Sequence, residues 1–239
     1  MAVYCDRART VYFPVPKAAC TSLKVLFWEI NHERPRPVKI SLLARLRRRL
    51  GANIEGETLQ TEDGYRTLDF DPGIEIPPGY DRLAVIRDPL ARLQSAWSNK
   101  VNHRMFARHK ELGILAERGL SSSPTFAEFI DRYEDYCATS VPVQRHTGTF
   151  AQYLGEDIDW YDRVFTVEQL GDLQAYLRER VGNGLAIPMR NQSRPDTRDS
   201  RLSQSHRAKL ATILESDYRL LGRYYDLDRS MQRFLKQAD

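Results

Sequence analysis

In "VPKAACTSLK" (15–24) a lysine follows a proline, three small residues follow the lysine, and Thr21 and Ser22 open an apolar stretch. Those residue types at that spacing suit an oxyanion. Lys17 brings a point charge, Thr21 and Ser22 bring hydroxyl donors, and the small Ala18, Ala19 and Cys20 let the backbone come close to a ligand. If a helix starts here, its first N–H groups lack internal partners and its dipole favours negative charge at that end. The same residues would also make an ordinary capped turn, with Thr21 or Ser22 as N-cap and Lys17 in solvent. A nucleoside triphosphatase loop is excluded. It needs GxxxxGK[ST], whereas this turn has no glycine and its lysine precedes Thr21 by four residues.

A second stretch, "VIRDPLARLQSAWSNK" (85–100), sets Arg87 at the end of an apolar run and Ser95 on the segment that follows. Arg87 is placed to hold a guanidinium fork over the same crevice. Alternatively it pairs with its neighbour Asp88, and Ser95 is a small residue where a helix meets a sheet.

These residues need elements to position them. "TVYFPV" (10–15) reads as a short buried strand stopped by Pro16, and Leu23, Leu26, Phe27 and Ile30 then recur at helical spacing. "RLAVIRDP" (82–89) repeats the pattern, followed by a helix with Leu90, Leu93 and Trp97. A third strand is expected at "DRVFTVEQL" (162–170), with helical stripes at Phe126, Phe129, Ile130, Tyr133 and at Leu210, Ile213, Leu214, Leu221. Strands alternating with helices predict an α/β fold, a single domain over 1–239 with a central parallel β-sheet flanked by helices. Residues 51–80 and 187–204 read as long loops.

Composition narrows the class. The 239 residues are 41% hydrophobic and 28% charged, and mean hydropathy is −0.55, as in a folded soluble chain. Lys plus Arg is 36 and Asp plus Glu 32, a net +4 that suits anionic ligands without naming one. Cys5, Cys20 and Cys137 lie far apart, which disfavours a zinc site or a disulfide scaffold and predicts a reducing compartment. No run reaches the roughly 18 apolar residues of a membrane span, and the N-terminus has no signal-peptide centre, so the expected location is cytoplasmic.

The two stretches together, in this order and about seventy residues apart, resemble the paired signatures of sulfotransferase family 2, the carbohydrate sulfotransferase branch. "VFTVEQLGDL" and "LESDYRLLGRYYD" are similar to later parts of that family. The resemblance implies a P-loop-like sulfotransferase fold with motifs at 14–24 and 83–100. It also implies a donor, 3′-phosphoadenosine-5′-phosphosulfate (PAPS), that leaves as PAP and needs no metal. Carried over by position, Lys17, Ala18, Ala19, Cys20, Thr21 and Ser22 would hold the 5′-phosphosulfate, and Arg87 and Ser95 the 3′-phosphate. Asn191 and Ser193 would lie on a loop closing over the donor.

Lys17 is the expected catalytic cation, facing the charge that builds as the 5′-phosphate leaves sulfur. A hydroxyl acceptor, a glycan or small molecule, also needs a general base. His32, just past the first helix, comes first and His146 second, with Glu57, Glu62 and Asp63 as carboxylate alternatives. His103 and His109 fall on a basic helix, and His206 begins the C-terminal one. "KISLLARLRRRLG" (39–51) is either a solvated helix or a grip for an anionic glycan, a membrane surface or a partner. Trp28 and Trp160 could stack on sugar rings, whereas Trp97 fits a core stripe. The rival class is a non-catalytic polyanion or nucleic-acid binder, favoured by a pI near 9.0 but lacking any module signature.

Overall fold

A computed structural model describes residues 2–36, 64–101, 109–182 and 202–236. They divide into two compact units. Of the described residues, one unit comprises 2–15, 19–36, 64–85 and 159–182, the other 16–18, 86–101, 109–158 and 202–236.

The first unit contains an open four-stranded sheet in the order β1 (Val3–Cys5), β2 (Thr10–Phe13), β3 (Asp81–Ile86), β4 (Arg163–Thr166). β1 turns back on β2 through Arg9 at φ 46, pairing Val3 with Tyr12 and Cys5 with Thr10 in antiparallel register. β2 and β3 run parallel, Thr10 opposite Asp81 and Phe13 opposite Ala84. The sheet is thus the mostly parallel α/β sheet that the alternating pattern predicts, with an added antiparallel edge strand. β2 is buried along its whole length, which explains its unbroken apolar run, and its Thr10 hydroxyl donates to Ala8 O at 3.0 Å.

Helix α1 (Cys20–His32) packs Leu23, Leu26, Phe27 and Ile30 on the sheet, and Phe27 stacks on Tyr12 with ring centroids 5.1 Å apart. Leu173 and Leu177 of a later helix, Leu170–Val181, close the same core. The polar start of β3 is satisfied within the unit. Arg82 forks onto Asp162 with two bonds of 2.8 Å, and Asp81 accepts from Arg180 and the Tyr176 hydroxyl at 2.7 Å each.

The second unit is helical and built around α2 (Pro89–Ala96). Asp88 caps it, Pro89 occupies its first turn, and a π-helical turn, Trp97–Val101, continues it. α3 (His109–Glu117), α4 (Phe126–Asp131), α5 (Tyr133–Thr139), α6 (Val141–Thr147) and α7 (Phe150–Leu154) follow. Numbering the Leu170–Val181 helix α8, the chain ends in α9 (Gln204–Leu220) and α10 (Leu227–Lys236). α6, α9 and α10 all pack on α2. Trp97 is buried against Phe126 and donates its indole N–H to Pro124 O at 3.1 Å, so it is a core residue as the stripe implies. Arg92 and Asp217 form an ion pair that is almost fully buried, 3% and 4% exposed.

Candidate functional site

β2 ends at Phe13, directly before Pro14, rather than running on to Pro16, and after Pro16 the chain turns through Lys17 at φ 67 and Ala19 at φ 58 before α1 begins. Neither residue is glycine, so each left-handed backbone costs on the order of 1–3 kcal/mol that the surroundings must offset. Ala19 is the N-cap of α1, and its methyl group provides no capping oxygen. The first helical bond is Leu23 N–H to Ala19 O at 3.1 Å. Thr21 and Ser22 therefore lie inside the first turn, and the capped-turn alternative, which needs one of them as N-cap, does not hold. Ala19 gives the start of α1 no side-chain cap, and the helix dipole favours negative charge at that end.

In the second unit, Arg87 follows β3 directly and is half-buried. Its Nη1 donates to Lys17 O at 3.1 Å, joining two residues seventy apart in sequence. The alternative pairing with Asp88 fails because that carboxylate has other partners. Asp88 is 5% exposed; its Oδ1 accepts from Ala91 N–H at 3.0 Å and the Tyr218 hydroxyl at 3.3 Å, and its Oδ2 accepts from the Ser230 hydroxyl and from Arg233 at 3.5 Å. Asp88 ties the start of α2 to α9 and α10, and Arg87 is turned to the lysine turn instead. Ser95 is buried on α2 at 5% exposure. The structure thus joins Lys17 to Arg87 in the second unit, while Cys20, Thr21 and Ser22 form the first turn of α1 in the first.

The expectation that His32 is the base fails on distance. It is the last residue of α1, about 18 Å along the helix from Cys20 at 1.5 Å per residue, far beyond the reach of a proton acceptor at the turn. His32 instead stacks on Trp28 at 3.9 Å, and its Nδ1 is 2.8 Å from Trp28 O. Trp28 itself is 8% exposed and no sugar platform, and Arg82 lies 4.6 Å over the ring of Trp160. His146 sits on α6 with Nδ1 2.6 Å from Pro142 O. His206 closes a capping box with Ser203 at the start of α9, and its Nε2 is 3.2 Å from Asp131 Oδ2. Glu57, Glu62, Asp63, His103, Asn191, Ser193 and the basic stretch 39–51 lie outside the described residues, as does the side chain of His109.

Lys24 is a residue that motif reading left without a role. It is 1% exposed on α1, one turn after Cys20, and its Nζ donates to Thr67 Oγ1 at 2.6 Å. Burial lowers its pKa, opposed by the nearby Cys20 thiol. The signal was present in the quoted motif, since a lysine between Leu23 and Val25 interrupts an apolar run. Nothing local in that run says whether the amine ends in solvent or in the core.

Among the described residues no group of three or more His, Cys, Asp or Glu could hold a metal ion, and no helix is long and apolar enough to cross a membrane. A family model described as the sulfotransferase family matches residues 1–234. No curated protein and no solved structure matches the chain.

Proposed function

The chain belongs to the sulfotransferase family, and on that premise we propose that it transfers a sulfuryl group from PAPS to a hydroxyl of a carbohydrate acceptor. The observation that carries this reading is the bond from Arg87 Nη1 to Lys17 O, because it connects the two stretches that resemble the family's donor-binding signatures. Lys17, Ala18, Ala19, Cys20, Thr21 and Ser22 hold the 5′-phosphosulfate, and Arg87 with Ser95 holds the 3′-phosphate. Residues 1–239 act as one sulfotransferase domain. Carbohydrate as the acceptor class follows the branch resembled.

The reaction is an in-line displacement. The acceptor oxygen forms a bond to sulfur while the bond from sulfur to the bridging 5′-phosphate oxygen breaks, and PAP leaves with that electron pair. Negative charge grows on the bridging oxygen, so a preorganised cation there stabilises the transition state more than the ground state. Lys17 has that role, and no step is assigned to a metal. The acceptor proton goes to a base, for which His146 or a carboxylate at Glu57, Glu62 or Asp63 is the candidate. The three free cysteines, two of them buried, suit a cytoplasmic location.

The test is a transfer assay with sulfur-labelled PAPS and a panel of glycans, lipids and small alcohols, run beside thermal shifts. Labelled product together with stabilisation by PAP, and not by ATP with Mg²⁺ or by DNA, is expected. Stabilisation by DNA alone, with no transfer to any acceptor, would overturn the reading in favour of a polyanion binder. Lys17→Ala is expected to lower kcat about a hundredfold or more while the melting temperature stays within a few degrees. Near-normal turnover in that variant would remove Lys17 from the mechanism.

A further inference from the structure

Arg87 reaches the lysine turn through a backbone atom. Its Nη1 hydrogen-bonds the carbonyl of Lys17, the residue whose amine is assigned to the leaving group. That carbonyl belongs to the peptide between two left-handed positions, Lys17 at φ 67 and, two residues on, Ala19 at φ 58. Without glycine to make that path easy, the turn needs an outside partner to keep it. Arg87 is well suited, because the next residue is fixed. Asp88 is buried and accepts from Ala91, Tyr218, Ser230 and Arg233, so the guanidinium starts from a rigid point where β3 passes into α2. Guanidinium has five N–H donors on a planar fork, enough to hold a carbonyl with one arm while meeting an anion with another.

We propose that Arg87 is a positioning residue for Lys17, holding the lysine turn in its left-handed path in addition to any contact it makes with the donor's 3′-phosphate. A residue that only binds the 3′-phosphate has no effect on a donor that lacks it. A residue that sets the turn matters for both donors. Recognition at one end of the donor is thereby coupled through a single side chain to the cation at the other. The kinetic part rests on the sulfotransferase reading; the structural part does not.

The experiment compares the full-length chain with Arg87→Ala, and with Arg87→Lys should the alanine variant fail to fold. Transfer is measured from PAPS and from adenosine 5′-phosphosulfate, which has no 3′-phosphate. With the second donor, kcat of the variant is expected to fall at least tenfold at saturating donor, a loss in kcat and not only in KM. Equal kcat for variant and wild type with that donor would overturn the proposal. The second readout needs no activity: the carbonyl carbon resonance of Lys17 in the ligand-free protein, which should move upfield as its hydrogen bond is lost. An unchanged Lys17 resonance overturns the proposal whatever the kinetics show, and it decides the matter alone if adenosine 5′-phosphosulfate is not used. A wild-type chain that transfers from neither donor would sink the sulfotransferase reading, while the resonance would still judge the role of Arg87.

Discussion

Ala19 has a left-handed backbone that an alanine adopts only at a cost, at φ 58 and ψ 11, where it begins α1. Glycine accepts that conformation freely, so Ala19→Gly should raise stability by about 1 kcal/mol, read as a higher urea midpoint at constant slope. Lys24 makes a second prediction at this scale. Its buried amine has a lowered pKa, so in the window between that value and the ordinary lysine range the unfolded chain binds a proton that the folded chain does not. Stability conferred by this group therefore rises with pH across the window. Lys24→Met should abolish that rise, and parallel pH profiles of variant and wild type would refute the assignment. Residue types in "VPKAACTSLK" made a candidate anion-binding turn legible, because charge and hydroxyl donors are properties of single residues. The burial of Lys24 was not legible, because it depends on Thr67, forty-three residues away, covering the amine.

Strands and helices followed the periodicity where it was long. β2, β3 and α1 lie where the apolar runs put them, and β4 occupies Arg163–Thr166 before the chain passes into α8. The edge strand Val3–Cys5 was not legible, because three residues with alternating burial show no period. The stripe at Phe126, Phe129, Ile130 and Tyr133 falls on two helices instead of one, α4 ending at Asp131 and α5 starting at Tyr133. The fork of Arg82 on Asp162 ties β3 to the segment before β4, and its hydrogen bonds hold the Asp162 carboxyl down at about 2. A depressed carboxyl contributes above its unfolded pKa and loses that contribution as pH falls through the folded one. The pair should thus add stability at neutral pH that disappears between the ordinary aspartate range and about pH 2. It is about one-third exposed, so screening limits it to about 1 kcal/mol or less. Acid titration of Asp162→Asn by circular dichroism checks this, the expected result being a shallower loss of stability in that window.

At the scale of the whole molecule, the helical unit depends on two buried carboxylates, neither of which faces a ligand in the proposed reaction. Asp88 joins α2 to α9 and α10, and Asp217 meets Arg92 at 3.3 Å while accepting the Phe150 N–H at 2.6 Å. Removing one member of a buried pair leaves the other charged and unsatisfied. Asp217→Ala should therefore cost about 3–5 kcal/mol, measured by denaturant unfolding, whereas a surface role would predict under 1 kcal/mol. The amino-acid sequence by itself determined the two strand-turn-helix segments and placed at their turns residue types suited to an oxyanion, because apolar period and side-chain type act over a few neighbouring residues. Tertiary structure alone decided that Arg87 serves the Lys17 carbonyl and not Asp88, that His32 ends a helix length away from the turn, and that Lys24 is enclosed. Each of these depends on which distant residue packs against it, and such partners are chosen by strand register and helix packing, which local patterns do not encode.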